Sequence, residues 1–237
     1  MAGARDPAAL GAALSHEAKG RSERTVARGV ELARAAGWDA TGGSRRSDSG
    51  IWFEIARLAA ERGAEAVVAG ARGAGGGGVL GSVSDALVHH CACPVLVVHP
   101  GVPEALLRGG PVLIAYDGSS DADRAAASTA AALPGRLAVV VHVGPAGSEG
   151  VAELGAGRAR QAGMSAMADA RVIGALGGGS QEIGRALVSA AAGAGAAAVV
   201  VGSRGRSAVR ELLLGSVAMA VLHAARGPVL VVPTRSG

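Results

Sequence analysis

Ala198-Val-Val-Val-Gly-Ser-Arg-Gly205, then nine residues, then Gly215-Ser-Val-Ala-Met-Ala-Val-Leu-His-Ala-Ala-Arg-Gly-Pro-Val-Leu-Val-Val232: this stretch decides the fold. A β-branched run ends at Gly202 and reads as a buried parallel strand. Gly202 and Gly205 mark a tight loop. Apolar residues at helical spacing follow Gly215-Ser216, with Ser216 placed as an N-terminal cap. Pro228 stops that helix and opens a second strand, Val229–Val232. Strand, glycine loop, helix and strand is the repeating unit of an α/β protein with a parallel sheet.

The same unit stands earlier in the chain. Ala66-Val-Val-Ala-Gly-Ala-Arg-Gly73 matches 198–205, and Gly81–Val98 matches Gly215–Val232 at 10 of 18 positions. An internal repeat of this kind predicts two copies of one supersecondary structure. In the first copy the strand is expected over Glu65–Ala69, the helix over Val83–His90 with Ser82 as cap, and the last strand over Val95–Val98. Its loop holds seven residues between Gly73 and Gly81, two fewer than the second copy, and four of them are glycines, Gly75–Gly78.

Upstream of the second copy, Val112–Tyr116 reads as a strand ending at Asp117-Gly118. A helix follows from Ser120, with Asp123 as capping-box partner, to about Leu133. Further elements are expected as strand Leu137–Val143, a helix near Arg158–Ala168, a strand near Ala170–Leu176 and a helix over Gln181–Ala192. The second half is therefore a full five-stranded doubly wound domain. The first half offers only a helix over Glu23–Ala36, a strand at Trp38–Thr41 and a helix over Ile51–Arg62 ahead of its repeat. Nothing there matches Val112–Val143. The boundaries read as 1–104 for an incomplete domain, 105–110 for a linker and 111–237 for a complete one.

Composition narrows the function. Aromatic residues are limited to Trp38, Trp52, Phe53 and Tyr116, too few for a base-stacking platform. The net charge of +4 comes from arginines spread along the chain, with Lys19 the only lysine; a nucleic-acid footprint needs a basic stripe. No nucleic-acid partner is expected. The uncharged run Ala186–Ser203 is Ala-rich and carries Gly193 and Gly195, so it reads as helix, turn and strand rather than a membrane span. Cys91 and Cys93 cannot make a disulfide framework, which suits a reducing, cytoplasmic setting. His89-His90-Cys91-Ala92-Cys93 offers metal-ligand types, but adjacent side chains at a helix end diverge, and no metal site is assigned.

The chemistry concentrates around Gly202–Ser216. Glycines let backbone approach an anion. The helix start at Gly215-Ser216 supplies unpaired N–H groups and a favourable dipole, and Arg204 can add a charge-assisted contact. The spacing Gly-x2-Gly-x9-Gly-Ser resembles the ATP-binding signature of the universal stress protein family. Val112-Leu-Ile-Ala-Tyr-Asp-Gly-Ser119 is similar to that family's first strand. The resemblance implies two tandem doubly wound α/β domains, Rossmann-like and of the adenine-nucleotide alpha-hydrolase type, the first incomplete.

It also implies ATP, with or without Mg, as ligand. Asp117 would face the nucleoside, Val143 at the end of its strand would pack on adenine, and Ala115 and Tyr116 would flank the base through their backbone. Val201, Gly202, Arg204, Gly205, Gly215, Ser216 and Val217 would form the phosphate side. The implied role is a non-catalytic, nucleotide-dependent stress-response protein, with no catalytic residue assigned. Alternatives are a nucleotide-free dimerisation or interaction module and a slow ATPase. For the ATPase, Glu211 is the one acidic residue in the loop, and the loop lacks the lysine of a Walker motif. The last strands, Pro94–Val98 and Pro228–Val232, are expected to join two chains as a homodimer or the two copies as an intrachain pseudo-dimer.

Overall fold

The computed structural model describes residues 7–72, 80–102, 109–172, 179–205 and 214–234. The chain divides into two compact units, Met1–Gly50 and Ile51–Gly237.

In the first unit, helix α1 (Pro7–Ala35) is followed by chain without regular structure over 38–47. This segment lies back on the helix: the Arg34 Nε donates to the Ala40 carbonyl at 3.0 Å, and the Ser22 and Ser44 hydroxyls are 2.9 Å apart. The helix begins earlier than the expected Glu23. The expected strand Trp38–Thr41 is not formed. A strand needs a neighbour for its N–H and C=O groups, and the sequence ahead of this segment contains no counterpart of the strand that would pair with it.

The second unit holds both repeat copies in one sheet. Its elements are α2 (Ile51–Glu61), β1 (Val67–Gly70), α3 (Ser82–His90), β2 (Val95–Val98), β3 (Val112–Ala115), α4 (Ser120–Ala132), β4 (Ala138–Gly144), α5 (Gly150–Gln161), β5 (Ala166–Val172), α6 (Ser180–Gly193), β6 (Ala198–Gly202), α7 (Ser216–Ala224) and β7 (Val229–Val232). The sheet order is β1-β2-β7-β6-β3-β4-β5. All neighbours are parallel except β2 and β7, which run antiparallel with Val95 opposite Val231, Leu96 opposite Leu230 and Val97 opposite Val229. The last strands of the two copies thus pair within the chain.

The period-two alternation of each strand sorts side chains between two cores. Leu113, Val139, Val141, Val199, Val201, Val229 and Val231 face α6 and α7, and that core continues under α3 through Leu87, Val88, Val95 and Val97. Val112, Ile114, Tyr116, Val140, Val200, Leu230 and Val232 face α4 and α5. One core therefore spans both copies, whereas the other is built around the second. In the first copy Val67 and Ala69 pack into the shared core, while Val68, on the opposite face, is 66% exposed. The helix corresponding to α4 would cover that face, and its sequence is missing from the first copy.

Several boundaries differ from expectation. Helix α5 starts at Gly150 and β5 at Ala166, each several residues before the expected start, because Gly163 at φ 91° ends the helix in a turn ahead of Met164. Gly81 and Gly215, rather than Ser82 and Ser216, are the N-caps of α3 and α7, and neither makes a side-chain cap bond. Ser119 caps α4, its hydroxyl accepting the Ala122 N–H. Asp123 does not complete a capping box; its carboxylate accepts the Tyr116 hydroxyl.

Candidate functional site

In the second copy the order β7-β6-β3-β4-β5 reverses between β6 and β3. Chain leaving the carboxyl end of β3 turns one way and chain leaving β6 turns the other, which opens a crevice at the sheet edge where ligands of open α/β sheets bind. Asp117 follows β3 and Gly205 follows β6. The structure brings them together: a Cβ built on Gly205 would stand 2.7 Å from Asp117 Oδ2. The other carboxylate oxygen, Oδ1, accepts the Ser119 N–H at 3.0 Å, which fixes the side chain over its own turn. A side chain at 205 would force the Asp117 carboxylate to move from this position, so the glycine keeps it where it stands.

Two backbone bonds close the neck of the glycine loop. The Ser203 N–H donates to the Val232 carbonyl and the Gly215 N–H donates to the Ser203 carbonyl, both at 2.7 Å. A Cβ on Gly215 would lie 3.3 Å from Arg204 Cα and from the Ser203 oxygen, so the helix start approaches the strand end closely. The Ser216 hydroxyl lies 2.7 Å from that of Ser180, the first residue of α6. Ala115, Val143, Val201 and Val217 belong to the core on the α6 and α7 face. Tyr116 is different. Its ring is buried on the α5 face, its N–H donates to the Val141 carbonyl, and its own carbonyl accepts His142 Nδ1 at 2.9 Å. Burial first, and then the Asp123 carboxylate, push the Tyr116 phenol up to about 12. Its hydroxyl therefore stays a donor to Asp123. Glu211, Gly73 and Gly75–Gly78 lie outside the described residues.

The first copy keeps the same neck. Ala71 N–H donates to Val98 O at 2.8 Å and Gly81 N–H to Ala71 O at 2.7 Å. Its shorter loop therefore preserves the closure. Two things distinguish it. Among the described residues β1 is an edge strand, so no strand-order reversal and no residue in the place of Asp117 stand beside it. Moreover, β1 and β2 run opposite to β6 and β7. Their carboxyl ends consequently open at the opposite edge of the sheet, and the two loops cannot share one ligand.

The sequence reading passed over Asp121, Ser203 and Thr234. Asp121 and Ser203 are buried, and Thr234 Oγ1 lies within hydrogen-bond distance of both. Ser203 stands inside the glycine motif at an unconstrained position. Thr234 follows the last strand, where no periodicity points to it. Among the described residues no three His, Cys, Asp or Glu side chains form a metal-binding group. Cys91 and Cys93 are free thiols with their sulfurs 3.5 Å apart. No helix among the described residues is long and apolar enough to cross a membrane.

An open doubly wound sheet with a glycine loop and helix start at its switch point defines a class of α/β protein. Comparison with known proteins narrows it. The profile of the universal stress protein family matches residues 4–99 and 110–233. A universal stress protein of Mycobacterium tuberculosis strain H37Rv is 36% identical over 187 residues, covering 71% of this chain and 61% of the relative. Universal stress protein PHOS32 of Arabidopsis thaliana is 46% identical over 90 residues, 34% of each chain. A universal stress protein structure from Archaeoglobus fulgidus DSM 4304 superposes with a TM-score of 0.68 at 23% identity, covering 92% of this chain and 78% of that one. The chain belongs to the universal stress protein family, and it spans about three fifths of the length of its mycobacterial relative.

Proposed function

We propose that the second copy binds an adenine nucleotide, ATP in particular, at the carboxyl ends of β3 and β6. We further propose that the protein acts as a non-catalytic, nucleotide-dependent component of a stress response in a reducing, cytoplasmic setting. The observation that carries this reading is the placement of Asp117 against Gly205 beside the closed Gly215 neck at the strand-order reversal. A carboxylate there can accept ribose or base hydrogen bonds. Helix N-terminal amides of α7 and the Ser216 hydroxyl can donate to phosphate oxygens. Mg, where it accompanies ATP, would be held by the phosphates, with Asp117 after β3 as the carboxylate of the crevice. Ala115, Val143, Val201 and Val217 supply the apolar side, and Arg204 a cation for the phosphates. Tyr116 backbone groups already have partners, so we assign Tyr116 to support of Asp117 rather than to the base itself.

This reading keeps 1–104 and 111–237 as the two evolutionary copies, with 105–110 between them, although both copies share one sheet from Ile51 on. The intrachain pairing of β2 with β7 favours a pseudo-dimer within the chain over a homodimer through the last strands. For the first copy we favour a nucleotide-free structural role, because among the described residues β1 is an edge strand with no carboxylate-bearing strand beside it as β3 stands beside β6. Calorimetric titration with ATP and Mg should give about one site per chain. The Gly205→Val variant, whose side chain would enter the space beside Asp117, should lose that binding. An absence of heat and of competition at millimolar ATP would overturn the proposal.

A further inference from the structure

The Asp121 side chain, 9% exposed, sits at the start of α4 with Arg124 paired to Oδ1. Its Oδ2 accepts the Thr234 hydroxyl at 2.8 Å. Thr234 has one hydroxyl proton, and that proton is committed to the carboxylate. Ser203 Oγ, 3.0 Å from Thr234 Oγ1, must therefore be the donor in that contact. The result is a chain with one direction, Ser203 to Thr234 to Asp121, ending on a carboxylate. Ser203 is the residue whose carbonyl receives Gly215 N–H and whose N–H reaches Val232. Gly202, just before it, has so little room that a Cβ would stand 3.2 Å from Asp121 Cβ and backbone carbon.

The internal repeat isolates what this chain of hydroxyls adds. In the first copy the two neck bonds are present, yet Ala71 takes the place of Ser203, Pro100 takes that of Thr234, and Asp121 has no counterpart. The first copy closes without these two hydroxyls, its strand end being tied instead by the Ser84 hydroxyl, which donates to the Gly70 carbonyl at 2.6 Å. The Ser203 and Thr234 hydroxyls occur in the copy that carries Asp117.

We infer that Thr234 is a positioning residue for the nucleotide site: its hydroxyl ties the chain after the last strand to Ser203 and holds the neck of the phosphate loop closed against Asp121. This rests on the nucleotide-site reading given above. Binding energy then reaches the loop from the segment after β7, and displacement of that segment weakens nucleotide binding without touching a ligand contact.

The test uses the full chain with Thr234→Val, which removes the hydroxyl at similar volume, and Thr234→Ser, which keeps it. Amide hydrogen exchange of Gly215 is followed by NMR with Gly81, whose neck lacks the Ser203–Thr234–Asp121 chain, as the internal reference, and ATP affinity is measured well below the melting temperature. Loss of a hydrogen bond to a charged group should raise both Gly215 exchange and the ATP Kd by about tenfold in Thr234→Val. Thr234→Ser should stay near wild type in both, and Gly81 should not change in either. A lowered melting temperature with Gly215 exchange and Kd unchanged would make Thr234 merely structural and overturn the inference. Wild-type protein that binds no ATP would overturn the nucleotide reading; Gly215 exchange in Thr234→Val would then decide the latch by itself, standing if exchange rises and failing if it does not.

Discussion

Replacing Gly184 with alanine should separate two helices and loosen the proposed phosphate site from a distance. Gly184 lies in α6 where it crosses α7. A Cβ there would meet Ala220 Cβ at 2.6 Å, the Ala220 backbone carbon at 3.0 Å and the Val221 nitrogen at 3.2 Å. Carbon atoms rest at about 3.5–4.0 Å, so the helices must part by about 1 Å. Two of the three atoms are backbone, and no rotamer change relieves them. Overpacking costs about 1–3 kcal/mol in general, and with immovable backbone as the obstacle the upper part of that range, about 2–3 kcal/mol, applies, while alanine returns about 1 kcal/mol of helix propensity. The net loss should be about 1–2 kcal/mol. Gly157 in α5 supplies the control, because a Cβ there meets nothing within 4 Å. Gly157→Ala should instead gain about 0.5–1 kcal/mol. For a domain of this size the pair should differ in melting temperature by about 5–10 °C, read by circular dichroism with urea denaturation as a second measure. Because α7 begins at Ser216, Gly184→Ala should also weaken ATP binding and Gly157→Ala should not. Equal melting of the two variants, or a Gly184→Ala protein as stable as wild type, would refute the packing argument.

Gly155→Ala should lower the urea midpoint, since its Cβ would meet the Tyr116 ring at 2.5 Å and Val140 Cγ1 at 2.8 Å, an overpacking cost of about 1–3 kcal/mol before the propensity gain. Leu230→Ala, at the β2–β7 junction opposite Leu96, should cost about 2–5 kcal/mol. Wild-type and variant midpoints should both be independent of protein concentration, because the junction lies within one chain; a concentration-dependent midpoint would point to pairing between chains. Burial, followed by its contact with Cys91, raises the Cys93 thiol from 9.0 to about 11. Its neutral form is favoured in the fold, so this contribution to stability is present below pH 9 and lost toward pH 11. Alkylation of Cys93 by iodoacetamide should keep rising through pH 10, and a plateau at pH 9 would contradict the shift.

Much of the second half was legible because its signals are local. Val112–Ala115 and Val229–Val232 follow from β-branched runs and Pro228, and the helix between Ser120 and Leu133 ends because Pro134-Gly135 comes next in the sequence. The α5–β5 region was misplaced because α5 is rich in Ala and Gly and β5 carries Ala at alternate positions in place of β-branched residues, so neither period stands out; the position of the Gly163 turn decided it. Ser216 and Ser82 looked like caps, but the preceding glycines hold the cap position, which frees the Ser216 hydroxyl to face Ser180. Asp123 answered to a spacing rule in sequence and to the Tyr116 hydroxyl in space.

The sequence by itself determined the repeat, the glycine spacing and the family resemblance, since these are properties of nearest neighbours and of fixed offsets along the chain. It also showed that the first copy has no match for Val112–Val143. Only the tertiary structure decided where the first copy's loop lies: β1 is an edge strand among the described residues, β2 runs antiparallel to β7, and the loop therefore opens at the other edge of the sheet. Register across β2 and β7, the approach of Gly205 to Asp117, and the tie from Ser203 through Thr234 to Asp121 all join residues far apart in sequence. Such contacts depend on how helices and strands pack, and packing is set by the whole core rather than by any window of the chain.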